Sequence, residues 1–157
     1  MLTKQVKLEE LSDLQYEVHI GKSKSVNYCN IMILKFSGEY GFGSGGNSDA
    51  IYMSAIGEAV VEAWEPSGLI LDFSELAYEW GDLIERVFDV GRAKYGNIPF
   101  PSALIVGERS EEAIRTLILG VYSEQTIDDI DWVHRDLESA WTFIEHKLAE
   151  YDRDKRL

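Results

Sequence analysis

A chain of 157 residues that is 45% hydrophobic and carries four tryptophans can bury a sizeable core without staples, which excludes a disordered or disulfide-framed protein. Its formal charge of −13 repels nucleic-acid phosphates and anionic membranes, so neither is an expected partner. No apolar run approaches the ~20 residues of a membrane-spanning helix.

One cysteine, Cys29, cannot form an internal disulfide, and residues 1–11 carry Lys4, Lys7, Glu9 and Glu10 without the apolar stretch of a signal peptide. The expected setting is a reducing cytoplasm. The charge is unevenly placed. Residues 1–47 hold five acids and five bases, whereas residues 48–157 hold 23 acids against 10 bases. Such a field attracts a basic protein surface or a cation, although solubility alone is a plainer use for it.

Leu14, Tyr16, Val18 and Ile20 alternate with Gln15, Glu17 and His19, the pattern of a half-exposed strand. After the break at residues 21–25, residues 30–36 read as a more central strand, antiparallel to the first. A glycine-rich loop over 38–47 leads to a helix capped by Asn47 or Ser48, with Tyr52, Ile56, Ala59, Val60 and Ala63 on one face. Pro66 and Gly68 end it. Residues 69–73, a short branched and aromatic run, suit a strand buried on both faces of a parallel sheet.

A second helix is expected to open with Glu79 and Asp82 in its first turn, followed by the stripe Trp80, Leu83, Ile84, Val87, Phe88 and Gly91. Pro99 and Pro101 bracket a loop before the buried strand at 103–106. Ser110, Glu111 and Glu112 start a third helix with the stripe Ala113, Ile114, Leu117 and Ile118. The acid-laden segment 127–133 reads as a last edge strand. Leu137, Ala140, Trp141, Ile144, Leu148 and Tyr151 mark the final helix. This order predicts a single α/β domain over residues 1–157, with a mainly parallel sheet, flanking helices and an N-terminal antiparallel hairpin.

Three constellations bear on chemistry. Gly41-Phe42-Gly43-Ser44-Gly45-Gly46 satisfies G-x-G-x-x-G between a strand and a helix, the context of a dinucleotide-binding turn. Its strand ends several residues too early, and Asp49 at the helix start competes with a phosphate. A mobile surface loop is the expected role, with an anion-binding nest as the alternative. Glu79, Asp82 and Glu85, spaced by three, fall near one helical face. With Asp72 at a strand end they could hold a hard cation or act as paired acid and base, or simply form a solvated face. Asp128, Asp129 and Asp131 lack the glycine of a calcium loop and read as an acidic contact surface. Trp132, flanked by acids, is the aromatic expected at that surface, whereas core packing accounts for Trp64, Trp80 and Trp141. No metal site, cofactor site or nucleophile–base motif is legible, with His19, His134 and His146 scattered and no P-loop or G-x-S-x-G.

The stretches Leu71-Asp72-Phe73-Ser74, Ala103-Leu104-Ile105-Val106-Gly107 and Leu137-Glu138-Ser139-Ala140, in this order of elements, resemble a STAS domain, the fold of the anti-sigma-factor antagonists. The resemblance covers about residues 30–148 and implies a non-enzymatic regulator that binds a protein partner. In that family the turn before the second helix carries an Asp-Ser pair whose serine is phosphorylated; here Glu79-Trp80-Gly81-Asp82 stands in its place, with no serine. The same segment is similar to small crotonase-type folds, which bind an oxyanion with paired amides. Two classes follow. One is a protein-binding module that docks a basic partner through Glu79, Asp82, Glu85, Asp128, Asp129, Asp131 and Trp132, as a STAS-like regulator or as an immunity protein neutralising a cationic toxin. The other is an enzyme that uses Asp72, Glu79 and Asp82. The missing nucleophile–base motif favours binding, and the sequence leaves the oligomeric state open.

Overall fold

Strand β1 (Gln15–Lys22) pairs antiparallel with β2 (Asn30–Glu39) in an unbroken register from Gln15 opposite Ser37 to Lys22 opposite Asn30. The computed structural model describes residues 1–155 and is α/β throughout. Helix α1 (Asn47–Trp64) leads from β2 to β3 (Gly68–Ala77), and a 3-10 helix (Asp82–Asp89) and the short α2 (Arg92–Tyr95) lead on to β4 (Ser102–Val106). Helix α3 (Glu111–Leu119) connects to the two-residue β5 (Val133–His134), and α4 (Leu137–Lys155) closes the fold. The strands lie side by side in the order β1-β2-β3-β4-β5, with every pair after the first parallel. The two buried runs expected at the centre are the adjacent strands β3 and β4.

That sequential order fixes where the helices go. Right-handed crossovers that all advance in one direction leave their connections on one face of the sheet. The larger core is accordingly built on that face, where Leu34, Phe36, Leu71, Phe73 and Leu104 meet Met53 and Ile56 of α1, Ile84 and Val87, and Ile114 of α3. Helix α4 covers the other face, packing Ala140, Ile144 and Leu148 on Ile31, Ile70, Ala103 and Ile105, with Val26 and Cys29 of the β1–β2 connection beside them. Its Trp141 lies over β1 at Gly21, where an added Cβ would come within 2.8 Å of the indole.

Three elements depart from expectation, the first two for a legible reason. Strand β3 does not stop at residue 73. Lys35 pairs with Asp72 but Ser37 pairs with Glu75, so one extra residue on β3 forms a bulge and the strand continues to Ala77. The bulge breaks the alternation that marks a strand, which hides the continuation. It also leaves Asp72 in mid-strand, its carboxylate accepting from the Ser74 N–H at 2.9 Å, rather than at the edge with Glu79 and Asp82.

The helix expected from residue 79 begins after Gly81 and runs as a 3-10 helix. Its buried residues Ile84 and Val87 lie three positions apart, with buried Val90 just past its end, which suits three residues per turn better than 3.6. The expected last strand over 127–133 is reduced to a 3-10 turn (Ile127–Asp129) and β5.

Candidate partner-binding site

Because β3 overhangs β4 at the carboxyl edge, the chain leaving β3 stands clear of the sheet. A cleft of about 770 Å³ opens there between residues 77–85 on one side and 108–121 on the other. Backbone bonds hold its first wall: Tyr40 N–H to Ala77 C=O at 2.9 Å, Gly43 N–H to Trp80 C=O at 3.0 Å, and Tyr78 N–H to Arg109 C=O at 2.9 Å. The Tyr78 hydroxyl, buried, donates to the Gly81 carbonyl at 2.8 Å. Burial above all, with Tyr40, Asp82 and Glu85 nearby, pushes that hydroxyl far above its ordinary range, so it stays a donor.

Glu79, Asp82, Glu85, Glu108 and Glu112 line this cleft. Asp82 and Glu85 fall in line because residues three apart eclipse on a 3-10 helix. Glu112 is held by Arg115 through contacts of 2.7 and 3.0 Å. The one guanidinium lining the cleft, Arg109, is bound to Glu39 at 3.2 Å. Among the described residues, Glu79, Asp82, Glu85 and Glu108 form no ion pair or side-chain hydrogen bond, so four uncompensated carboxylates face one opening. The serine on the cleft wall, Ser110, is buried and engaged, donating to Phe73 C=O at 3.2 Å and accepting from Gly107 N–H at 3.0 Å.

The rim is aromatic. Trp80 is 57% exposed and Phe42 is 69% exposed, with ring centroids 5.3 Å apart. Trp80 therefore belongs to the surface rather than to the core stripe expected for it. It sits one position outside the buried line 84, 87, 90, a placement that a period of 3.6 misreads. Trp64 is likewise exposed at the end of α1. Gly43 makes the Trp80 position possible: it has φ +58°, and an added Cβ would lie 2.2 Å from the indole. Val121 and Tyr122 extend the exposed apolar rim beyond α3.

The glycine-rich segment beside this rim is a packed turn rather than a free loop. The buried Asp49 carboxylate accepts from Gly41 N–H at 2.8 Å and from the Ser12 hydroxyl at 2.5 Å. Gly43 and Gly45 donate to Trp80 and Phe42 carbonyls. The Gly41, Gly43 and Gly45 amides are thus already engaged, and the Asp49 carboxylate stands where an anion would sit.

The remaining candidates divide. Asp131 and Trp132 line a second cleft of about 600 Å³ beside the amino-terminal end of β4, together with Phe88, Phe100, Leu117 and Phe143. Glu85 and Leu117 line both clefts. Trp132 is half-buried and meets Phe88 edge-on at 5.4 Å, so one ring face is a packing surface. Asp128 and Asp129 stand apart in local structural contacts. Asp129 accepts from the Thr126 N–H at 2.9 Å in a capping box, and Asp128 pairs with Arg135. Phe42, Trp80 as an exposed residue, and Glu108 are the site residues that sequence reasoning missed. Among the described residues, no three His, Cys, Asp or Glu side chains gather into a group able to hold a metal ion. None of their helices is long and apolar enough to cross a membrane.

No protein-family model matches the chain, and no curated protein matches it at a significant level.

Proposed function

We propose that the chain is a non-enzymatic protein-binding module that docks a basic protein surface in the carboxyl-edge cleft. One observation carries the reading: an exposed Trp80–Phe42 pair stands beside Glu79, Asp82, Glu85 and Glu108, none of which forms an ion pair among the described residues. Exposed aromatics are the residues that dominate interface energetics, and unpaired carboxylates at their rim select a partner rich in lysine or arginine. Ser110 offers no free hydroxyl for covalent chemistry, which further favours binding over catalysis. The expected STAS-like resemblance fits a regulator of this kind in the cytoplasm, and a cationic toxin neutralised by an immunity protein is a partner of the same chemistry.

The test is capture from the native lysate with the wild type and with a Glu79→Gln, Asp82→Asn, Glu85→Gln variant, each at low and high salt. A basic protein retained by the wild type at low salt, and lost both on neutralisation and at high salt, is the expected result. Retention of the same proteins by both forms would place binding elsewhere.

A further inference from the structure

We propose that the free edge of β1 pairs antiparallel with β1 of a second copy of this chain, centred on Val18, which joins the two five-stranded sheets into one. The proposal concerns the side of the sheet away from the acidic clefts and does not depend on the function proposed for them.

Strand β1 is eight residues long and, among the described residues, pairs with β2 alone. No other described segment sends a backbone hydrogen bond to its far side. Exposed edges of this length are templates for pairing, and proteins blunt them with proline, bulges or lysines in mid-strand. Residues 15–21 contain none of these, and their register with β2 is unbroken. Tyr16 and Ile20 remain 44% and 41% exposed on the same strand face as Val18.

The sequence of the edge is self-complementary. Paired antiparallel about Val18, Tyr16 of one copy faces Ile20 of the other, Val18 faces Val18, and Glu17 faces His19. An aromatic residue opposite a β-branched one, and an acid opposite an imidazole, are favourable cross-strand pairs. Glu17 and His19 already meet within one strand at 3.0 Å, so the second copy extends that contact into a ladder of four. Neighbouring registers lose this match: centring on Glu17 sets two carboxylates face to face, and centring on His19 sets two imidazoles face to face. Charge also selects the surface. Residues 1–47 balance five acids with five bases, whereas contact through the rest of the chain would oppose two strongly acidic bodies. An isologous contact of this kind closes as a twofold dimer.

Sedimentation velocity of the intact chain, from micromolar to millimolar concentration, is the test. The wild type should run as a dimer in exchange with monomer. Added salt should strengthen association by screening the repulsion between two chains of −13 each. Glu17→Lys alone sets a cation against His19, and His19→Glu alone sets two acids against each other. Each should weaken self-association by about tenfold or more while leaving the monomer folded, although Glu17→Lys also sets a lysine opposite Lys35 of β2 and should lower the melting temperature somewhat. An equimolar mixture of the two variants recreates acid-against-base pairs on both sides of the twofold and should restore wild-type association. A wild type that is monomeric at every concentration would overturn the proposal. So would a dimer indifferent to both substitutions, or a mixture of folded variants that fails to recover.

Discussion

Glu145 shows how a single buried charge can tie distant chain segments together. It lies on α4, yet its carboxylate accepts from the Lys24 N–H at 3.0 Å, the Ser25 N–H at 3.0 Å and the Ser25 hydroxyl at 3.1 Å. Burial alone would raise its pKa, but hydrogen bonds from Ser23, Ser25 and Lys24 outweigh it and hold the group below its ordinary value. A carboxylate held low stabilises the fold above the pKa of the unfolded chain, and that contribution is lost as pH falls through the folded value. Glu145→Ala, which strands these donors, should cost about 1–3 kcal/mol in urea titration at neutral pH.

His134 works in the opposite sense. Its Nε2 is buried without a partner, and burial lowers its pKa below 6.5 despite the raising influence of Asp136 and Asp131. The folded state therefore resists protonation that the unfolded chain accepts, so stability should fall as pH drops below 6.5 toward the folded value. His134→Gln should flatten this slope relative to wild type in urea titrations between pH 7 and pH 5, a window above the ordinary range of the carboxylates.

Among the elements, the turn at 41–46 carries the most consequence for the site, since its backbone positions the aromatic rim. Gly43→Ala combines a left-handed φ with a 2.2 Å clash against the Trp80 ring. It should lower the melting temperature and shift tryptophan emission, at a cost of about 1–3 kcal/mol. The β-hairpin, the existence of α1 and the β3–β4 pair were legible in the sequence because each follows a plain period of 2 or 3.6, or a plain apolar run, although α1 buries Tyr52, Met53, Ile56, Gly57 and Val61 and leaves the expected Ala59 and Ala63 exposed. What stayed hidden were interruptions of period. The bulge after Asp72 inserts one residue into β3, and the three-residue spacing of Ile84 and Val87 belongs to a 3-10 helix. Both lie beside the cleft. Asp82 and Glu85 align because residues three apart eclipse on the 3-10 helix, whereas Glu79 joins them on the cleft wall from the non-helical chain before Gly81. Asp72, read as their neighbour, was lost to the bulge.

For the whole molecule, two groups stand out within the acidity of residues 48–157. Asp128, Asp129, Glu111 and Glu112 are tied to Arg135, to Thr126 or to Arg115 and serve local structure. Glu79, Asp82, Glu85 and Glu108 are left to face outward together. Net charge could be counted from the sequence, but which carboxylates are neutralised depends on arginines brought near by folding, such as Arg135 with Glu111, 24 residues away. Neutralising Asp128 or Asp129 would disturb a cap and an ion pair, so it is a poor probe of binding.

The central claim is best tested by the association rate with the captured basic partner, measured by surface plasmon resonance across a range of ionic strength. The predicted result is an on-rate that falls as salt rises and loses that dependence in the Glu79→Gln, Asp82→Asn, Glu85→Gln variant, while Trp80→Ala chiefly raises the off-rate, by about tenfold or more. An on-rate indifferent to salt and to the triple neutralisation, with an off-rate unmoved by Trp80→Ala, would contradict it.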